Sequence, residues 1–473
     1  MKKKVALFSL CALAVIMPQA ARQAEARENS LSGGGSISYE IYDKSTDATP
    51  AAGQSNGNDN YSRIIINPAL TVRSLGENNV IELTYAPSIA YGDGDNGKLQ
   101  QSVNGRASWS PTSHWTITLA DSYQETDTDL DNINRARFTP QPAPTPGGPQ
   151  GGSGTPPSPP VNDSQLTGQT GRQKYSNNIF SANTAYQYWE DSFFNFGYQL
   201  DQLRYDQLTG SNQDFDRHTV SANIRHRLNS QYSLTVAASY VTGTSNQAEQ
   251  AAANSASAGV DEYHLSTSLQ SLTIPHHPLS LSYSLGVSDY DDDRQANSQI
   301  HTLLLGWTWE INPKATFSLS AGPSYQKSDN ESWSYALNAS YSHQWSATGR
   351  ISFNVSHGME NRNFSGNGKD NGLIEYWRAG VGISQALSQN LSLNLMATAA
   401  DEDVTQSDNG LHNGSRGTRQ YSLGGGLSYS FWRWYSLGLN YTYTTQDGDL
   451  PGDDYDEQRV MLVLSMQRDF FHW

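Results

Sequence analysis

Alternation of apolar with small polar residues, at period two and along most of the chain, is the feature that most limits what this sequence can fold into. In the stretch YSLGLNYTYT, Tyr435, Leu437, Leu439, Tyr441 and Tyr443 alternate with Ser436, Gly438, Asn440, Thr442 and Thr444. Successive side chains of an extended strand point to opposite faces, so such a strand has one apolar, aromatic face and one small, polar face. The same texture recurs from Ile81 to Ile89, from Phe194 to Asp201, from Leu279 to Ser288, from Ser332 to Tyr341 and from Leu391 to Met396. These segments run about 9–14 residues, which suits a tilted strand crossing a bilayer.

A two-faced strand fits a soluble sandwich with its apolar face inward, or a membrane barrel with its apolar face outward. Composition separates the two. The chain has 473 residues, long for one soluble β domain, yet it is only 36% hydrophobic. Mean hydropathy is -0.63. Aromatics still reach 11%, with 26 Tyr and 11 Trp. Few buried runs and many Tyr and Trp suit a barrel that is apolar outside and polar inside. No apolar run approaches the 18 or so residues of a spanning helix, so a membrane crossing here needs strands.

The N-terminus reads as an export signal. Lys2, Lys3 and Lys4 precede an apolar run from Val5 to Met17, and Ala24-Glu25-Ala26 forms a cleavage site. The expected domains are a signal peptide over 1–26 and one barrel over 27–473. The single cysteine, Cys11, lies in the signal. Leu10 before it argues against lipidation, so the mature chain is expected to carry no thiol. Net charge is -16; residues 1–26 hold four Lys/Arg and one Asp/Glu, leaving the rest near -19. That balance argues against nucleic acid as a partner.

Connections sort into two alternating classes. Short turns fall near 74–79, 111–114, 189–192, 229–232, 275–278, 312–315, 346–349, 387–390 and 432–434. Longer acidic or Gly/Asn-rich connections fall at 43–60, 92–100, 206–215, 243–259, 290–297, 362–372, 402–418 and 445–456. This asymmetry predicts an all-β, antiparallel up-and-down transmembrane barrel of about 20 strands (18–22). Short turns and both chain ends should lie on the periplasmic rim of a Gram-negative outer membrane. Segment 127–174 holds nine of the 19 prolines and is expected to be a polyproline-like or disordered extracellular loop.

Trp109, Trp115, Trp189, Trp307, Trp309, Trp345, Trp432, Trp434 and Tyr435 cluster where strands meet turns and are candidates for the interfacial aromatic girdle. At the C-terminus, Val460, Leu462, Leu464 and Met466 are expected to face lipid. Trp473 has the opposite parity, which requires a bulge between Met466 and Phe471. Asp121 shares parity with Leu119 and Tyr123 and is expected near the outer interface.

The layout resembles the large bacterial outer-membrane barrels grouped as putative porins, in particular the "putative β-barrel porin 2" type. The texture that carries the resemblance is GLSYSF, WTITLADSY and the Pro/Gly-rich loop, over most of 33–473. It implies a porin-like channel, with export of an extracellular polysaccharide as its finer form. It transfers no functional residue. The competing expectation is a structural barrel, such as the scaffold or sheath of an electron conduit.

Nothing in the sequence marks an enzyme: it lacks P-loop, GxSxG, HExxH and Cys/His-cluster patterns. No cofactor is expected. His276-His277 reads as turn filler, and His218 and His226 as outward residues near the rims. Acidic clusters at 91–97, 127–132, 289–294 and 451–457 read mainly as solvated loop charge, with divalent-cation binding as the sharper alternative. The lumen is the place to look for substrate preference. Its candidate lining residues are Arg63, Arg73, Glu82, Arg106, Asp201, Arg217, Arg225, Arg227, Glu310 and Arg378, either tuning selectivity or bracing the wall. Expected partners are outer-membrane lipid and lipopolysaccharide, the barrel-assembly machinery and periplasmic polysaccharide-export components.

Overall fold

The computed structural model describes residues 27–46, 59–93, 95–126, 174–206, 213–247, 258–291, 296–328, 331–364, 372–405, 415–449 and 454–472. The expected signal segment 1–26, the Pro/Gly-rich segment and Trp473 lie outside them.

The strands run in chain order as β1 (Glu28–Thr46), β2 (Asp59–Leu75), β3 (Asn79–Tyr85), β4 (Ser88–Gly92), β5 (Asp95–Gln100), β6 (Ser102–Thr112), β7 (Trp115–Thr126) and β8 (Tyr175–Trp189). They continue as β9 (Ser192–Tyr205), β10 (Gln213–Arg227), β11 (Tyr232–Gln247), β12 (Ala258–Ser271), β13 (Leu279–Tyr290), β14 (Ser298–Asn312) and β15 (Ala315–Lys327). The last seven are β16 (Glu331–His343), β17 (Gly349–Arg362), β18 (Gly372–Ala386), β19 (Leu391–Thr405), β20 (Ser415–Phe431), β21 (Tyr435–Gly448) and β22 (Tyr455–His472).

Apart from β3–β4 and β5–β6, consecutive strands pair antiparallel, and β22 pairs with β1 to close the sheet. The 22 segments make 20 barrel strands. β3 and β4 both pair with β2, broken at Ala86-Pro87, where proline removes a ladder donor. Their partners β6 and β5 are likewise halves of one strand. Closure matters energetically because an open edge in lipid would leave a row of unsatisfied N–H and C=O groups.

The nine expected short turns all lie at one end, which also holds both chain termini. Three of them need positive φ, at Asp191, His276 and Trp432. One expected long connection is different. Residues 95–100 form β5, and the chain reverses tightly around Asp93. Gly and Asp in 92–100 look like loop, but the ladder with β4 gives that backbone its partners.

The alternation holds in space. On β1, Ile37, Tyr39 and Ile41 are exposed while Ser38, Glu40, Tyr42 and Lys44 are buried. The exposed row continues through Ile64, Ile66, Leu70 and Val72 on β2, and through Leu437, Leu439 and Tyr441 on β21. Apolar side chains therefore cover the outside, and the Tyr/Leu face of YSLGLNYTYT looks away from the barrel interior. At the C-terminal end Ser32 pairs with Asp469 but Leu31 pairs with Phe471, so Phe470 is the extra residue of a bulge. This is the bulge that the parity of the terminal aromatics requires. Asp121 departs from expectation. It sits near the middle of β7, opposite Gly105 and Phe180.

Candidate functional site, a polar lumen filled in at one end

The inner wall is built from the small half of each alternation. Neighbouring strands bond to each other across it through short side chains. Thr71 and Thr84 hydroxyls lie 2.9 Å apart, Thr302 and Ser324 3.0 Å, Thr308 and Ser318 3.1 Å, and Ser422 and Thr444 2.6 Å. Ser122 donates to Asn104 Oδ1 at 2.7 Å. A concavity on this wall is lined by Ser280, Thr308, Ser318, Ser320, Asn338 and Ser340, among others. Such a surface offers donors and acceptors in every orientation and little net charge.

The charged candidates are spread along the barrel and do not converge. Arg63 Nε donates to Glu40 Oε2 at 2.7 Å, and Arg459 approaches Glu40 Oε1 at 2.5 Å; Arg63 and Glu40 are both fully buried. Glu40 thus ties β22, β1 and β2 together where the barrel closes. Stacked Tyr42 and Tyr61, 4.8 Å between centroids, lie beside it, with the Arg63 guanidinium 5.0 Å from the Tyr61 ring. Asp201 accepts from Arg217 at 2.5 Å across β9 and β10. Arg378 bonds Glu360 and Glu402, both at 2.7 Å, while Arg362 reaches Glu402 at 3.0 Å and Glu360 at 3.3 Å.

These braces all sit in the long-loop halves of their strands. The other candidates sit lower. Arg73, Glu82 and Arg106 form one row across β2, β3 and β6. Arg73 is 3.7 Å from Glu82 and both are about half exposed. Arg106 is exposed and has no ion-pair partner among the described residues. Arg225 lies 6.0 Å from the Phe193 ring, Arg227 pairs with Asp191 in the turn, and Glu310 holds His276 at 3.0 Å.

The sequence reading missed one inward segment. Residues 361–364, at and beyond the end of β17, cross to the opposite wall. Asn361 donates to Ser288 Oγ at 2.9 Å and accepts from Ser298 at 3.1 Å. Asn363 accepts from Tyr290 at 2.5 Å and donates to Glu262. Phe364 enters a buried cluster of Tyr175, Leu203, Tyr205, Phe215, Val241 and Val260 from β8 to β12. Gly243 makes room for it, since a side chain there would meet the Phe364 ring. Among the described residues, the ten largest fully buried side chains, Arg63, Arg362, Tyr42, Tyr175, Lys44, Phe364, Leu203, Ile374, Glu40 and Thr444, all belong to the long-loop end. Residues 362–372 had read as a loop, and only the even parity shared by Glu360, Arg362, Arg378 and Glu402 hinted at a common inward cluster.

All nine aromatic-girdle candidates lie at the short-turn end. Trp109, Trp115, Trp189, Trp309, Trp345 and Trp432 are well exposed. Trp307 and Trp309 stack at 6.0 Å with His277 against both. Trp345 donates to Gln385 Oε1 at 2.8 Å, Tyr435 stacks on Phe431 at 5.9 Å, and Arg433 and Arg468 lie over Trp434. The His276-His277 pair is therefore part of this rim. His218 and His226 face outward and meet Tyr198 and Tyr188 hydroxyls at 2.9 and 3.1 Å. Near the other end, Trp333, Tyr335 and Trp377 are exposed on the outer face. Among the described residues, no group of three or more His, Cys, Asp or Glu is placed to hold a metal ion.

Comparison with solved structures returns outer-membrane proteins. The siderophore receptor PirA from Pseudomonas aeruginosa has a TM-score of 0.48 at 11% identity, with 93% of this chain and 80% of that one covered. The siderophore receptor PiuA from Acinetobacter baumannii has a TM-score of 0.48 at 9% identity, covering 92% and 82%. OpdQ of Pseudomonas aeruginosa has a TM-score of 0.39 at 9% identity, covering 94% and 99%. No curated protein matches the chain in sequence. Residues 334–468, from β16 to β22, match the family described as "Putative beta-barrel porin 2". With its closed 20-strand sheet, the chain is an integral outer-membrane β-barrel whose β16–β22 portion is similar to that family.

Proposed function

We propose that the barrel is an outer-membrane channel for hydrated, polyhydroxylated solutes, and in its finer form the conduit through which an extracellular polysaccharide leaves the cell. The observation that carries this reading is the inner wall itself. Its Ser, Thr and Asn side chains exchange hydrogen bonds with one another and can exchange them equally with sugar hydroxyls. Most of its cations are neutralised by buried carboxylates, so the wall offers no strong field to charged solutes. The channel has no catalytic role in this reading. Its partners are lipid and lipopolysaccharide outside, the assembly machinery during insertion, and polysaccharide-export components in the periplasm.

The filled-in end favours a second reading, a structural barrel or sheath with no free diffusion. Purified barrel in planar bilayers and in liposomes separates the two. The channel reading expects single-channel currents and swelling with neutral oligosaccharides that falls as the oligomer lengthens. A folded barrel that passes neither ions nor sugars sinks it. Co-purification with a chain seated in the lumen then supports the sheath.

A further inference from the structure

The wall beside the inward segment is built unlike the rest. β15 and β16 pair along their full length, to Lys327 opposite Glu331. β17 and β18 do the same, to Arg362 opposite Gly372. Between them, the β16–β17 ladder stops at Leu337 opposite His357. Residues 331–336 and 358–362 belong to strands but are not laddered to each other.

Side chains bridge the gap instead, and they join β16 to β18, past β17. Ser334 Oγ donates to Glu375 Oε1 at 2.6 Å. The Tyr335 ring lies 6.2 Å from Trp377. His357 is buried between them, 4.3 Å from Tyr335 and 4.5 Å from Trp377, with its Nδ1 2.8 Å from the Tyr376 carbonyl. The upper half of β17 keeps its ladder with β18 but not with β16, and residues 361–363 reach inward to Ser288, Ser298, Tyr290 and Glu262.

We infer that the upper half of β17 is a gate strand, and that re-forming its ladder with β16 withdraws residues 361–364 and widens the lumen. This rests on the channel reading above and names the regulation of the same lumen. Each position satisfies groups that the other gives up. Rolled in, the strand gains the Asn361, Asn363 and Phe364 contacts and the Glu360–Arg378 pair. Rolled out, it recovers the backbone hydrogen bonds of the missing rows. Continuing the observed register sets Ser334 opposite Glu360 and Ala336 opposite Gly358. An element with two mutually exclusive bonding sets has two discrete arrangements, and a channel solute shifts it only by preferring one.

The mature sequence carries no other thiol, so paired cysteines test this directly. One barrel carries Ser288→Cys with Asn361→Cys, the other Ser334→Cys with Glu360→Cys, each closed by a short bifunctional thiol reagent with a reducible link. Cold-gel mobility verifies folding of both. Linking 288 to 361 should abolish most of the conductance. Linking 334 to 360 should raise it several-fold above the reduced barrel, and reduction should reverse both changes. An Asn363→Ala barrel, which loosens the inward segment without any link, should open more often. Equal conductance in the two linked barrels overturns the gate. So does a conducting barrel in which 334 and 360 never link. A barrel silent in both linked states and when reduced takes down the channel reading itself, and the gate with it.

Discussion

Phe470 lays its ring over Gly33, so that a side chain on Gly33 would run into the aromatic carbons. The contact joins the first strand to the last, at the bulge where Phe470 is left out of the ladder. It covers backbone that glycine leaves bare, as aromatic residues do beside glycine in other sheets. A Gly33→Val barrel should therefore close poorly. Phe470→Ala should be milder, with a loss of about 0.5–1 kcal/mol for one cross-strand contact. Cold-gel heat-modifiability reads out closure. The idea fails if Gly33→Val assembles as fully as the parent.

The membrane-spanning parts of this fold were legible because lipid and water impose period two. Ile37, Tyr39 and Ile41 had to face out once Ser38 and Glu40 faced in. The bulge at Phe470 was legible for the same reason, since Trp473 carried the wrong parity. Above the bilayer that contrast fades, because both faces are wet. Arg362 and Glu402 therefore read as loop residues although both lie in strands and share a brace. The inward segment was illegible for a different reason. Asn361 and Ser288 are 73 residues apart, and no local pattern reports such a contact. Residues 95–100 show the opposite error, Gly and Asp read as loop although a ladder holds them.

Glu40 should be the residue on which closure of the barrel most depends. It lies between Arg63 and Arg459 with no exposure to solvent. Glu40→Ala leaves two guanidinium groups without their shared carboxylate, and breaking a buried pair costs about 3–5 kcal/mol. Glu40→Gln keeps the shape and one acceptor, so it should cost less. The urea midpoint of the folded barrel should fall in that order. An unchanged midpoint for Glu40→Ala would mean that the cluster braces nothing.

Arg106 and Arg63 share a candidate role but should behave differently. Arg63 is buried against its carboxylate, whereas Arg106 is exposed and unpaired among the described residues. Arg106→Glu should leave stability nearly unchanged and shift the reversal potential in a salt gradient toward cations. Arg63→Gln should do the reverse, lowering the urea midpoint while selectivity holds. Identical reversal potentials for the Arg106→Glu and parent barrels would remove Arg106 from the conducting path.

The last prediction concerns Glu402, which holds two cations at once. Its Oε2 accepts from Arg362 at 3.0 Å and its Oε1 from Arg378 at 2.7 Å. Arg362 is buried, and without Glu402 its nearest carboxylate is Glu360 at 3.3 Å on its own strand. A Glu402→Gln barrel keeps an acceptor for one arginine and loses the charge that balances both. The desolvated Arg362 then gains by moving toward water, and the end of β17 moves with it. Openings in planar bilayers should become more frequent than in the parent. Glu360→Gln should act more weakly on Arg362, which would still have Glu402. If Glu402→Gln and Glu360→Gln barrels open as rarely as the parent, the network is a passive brace of β17, β18 and β19.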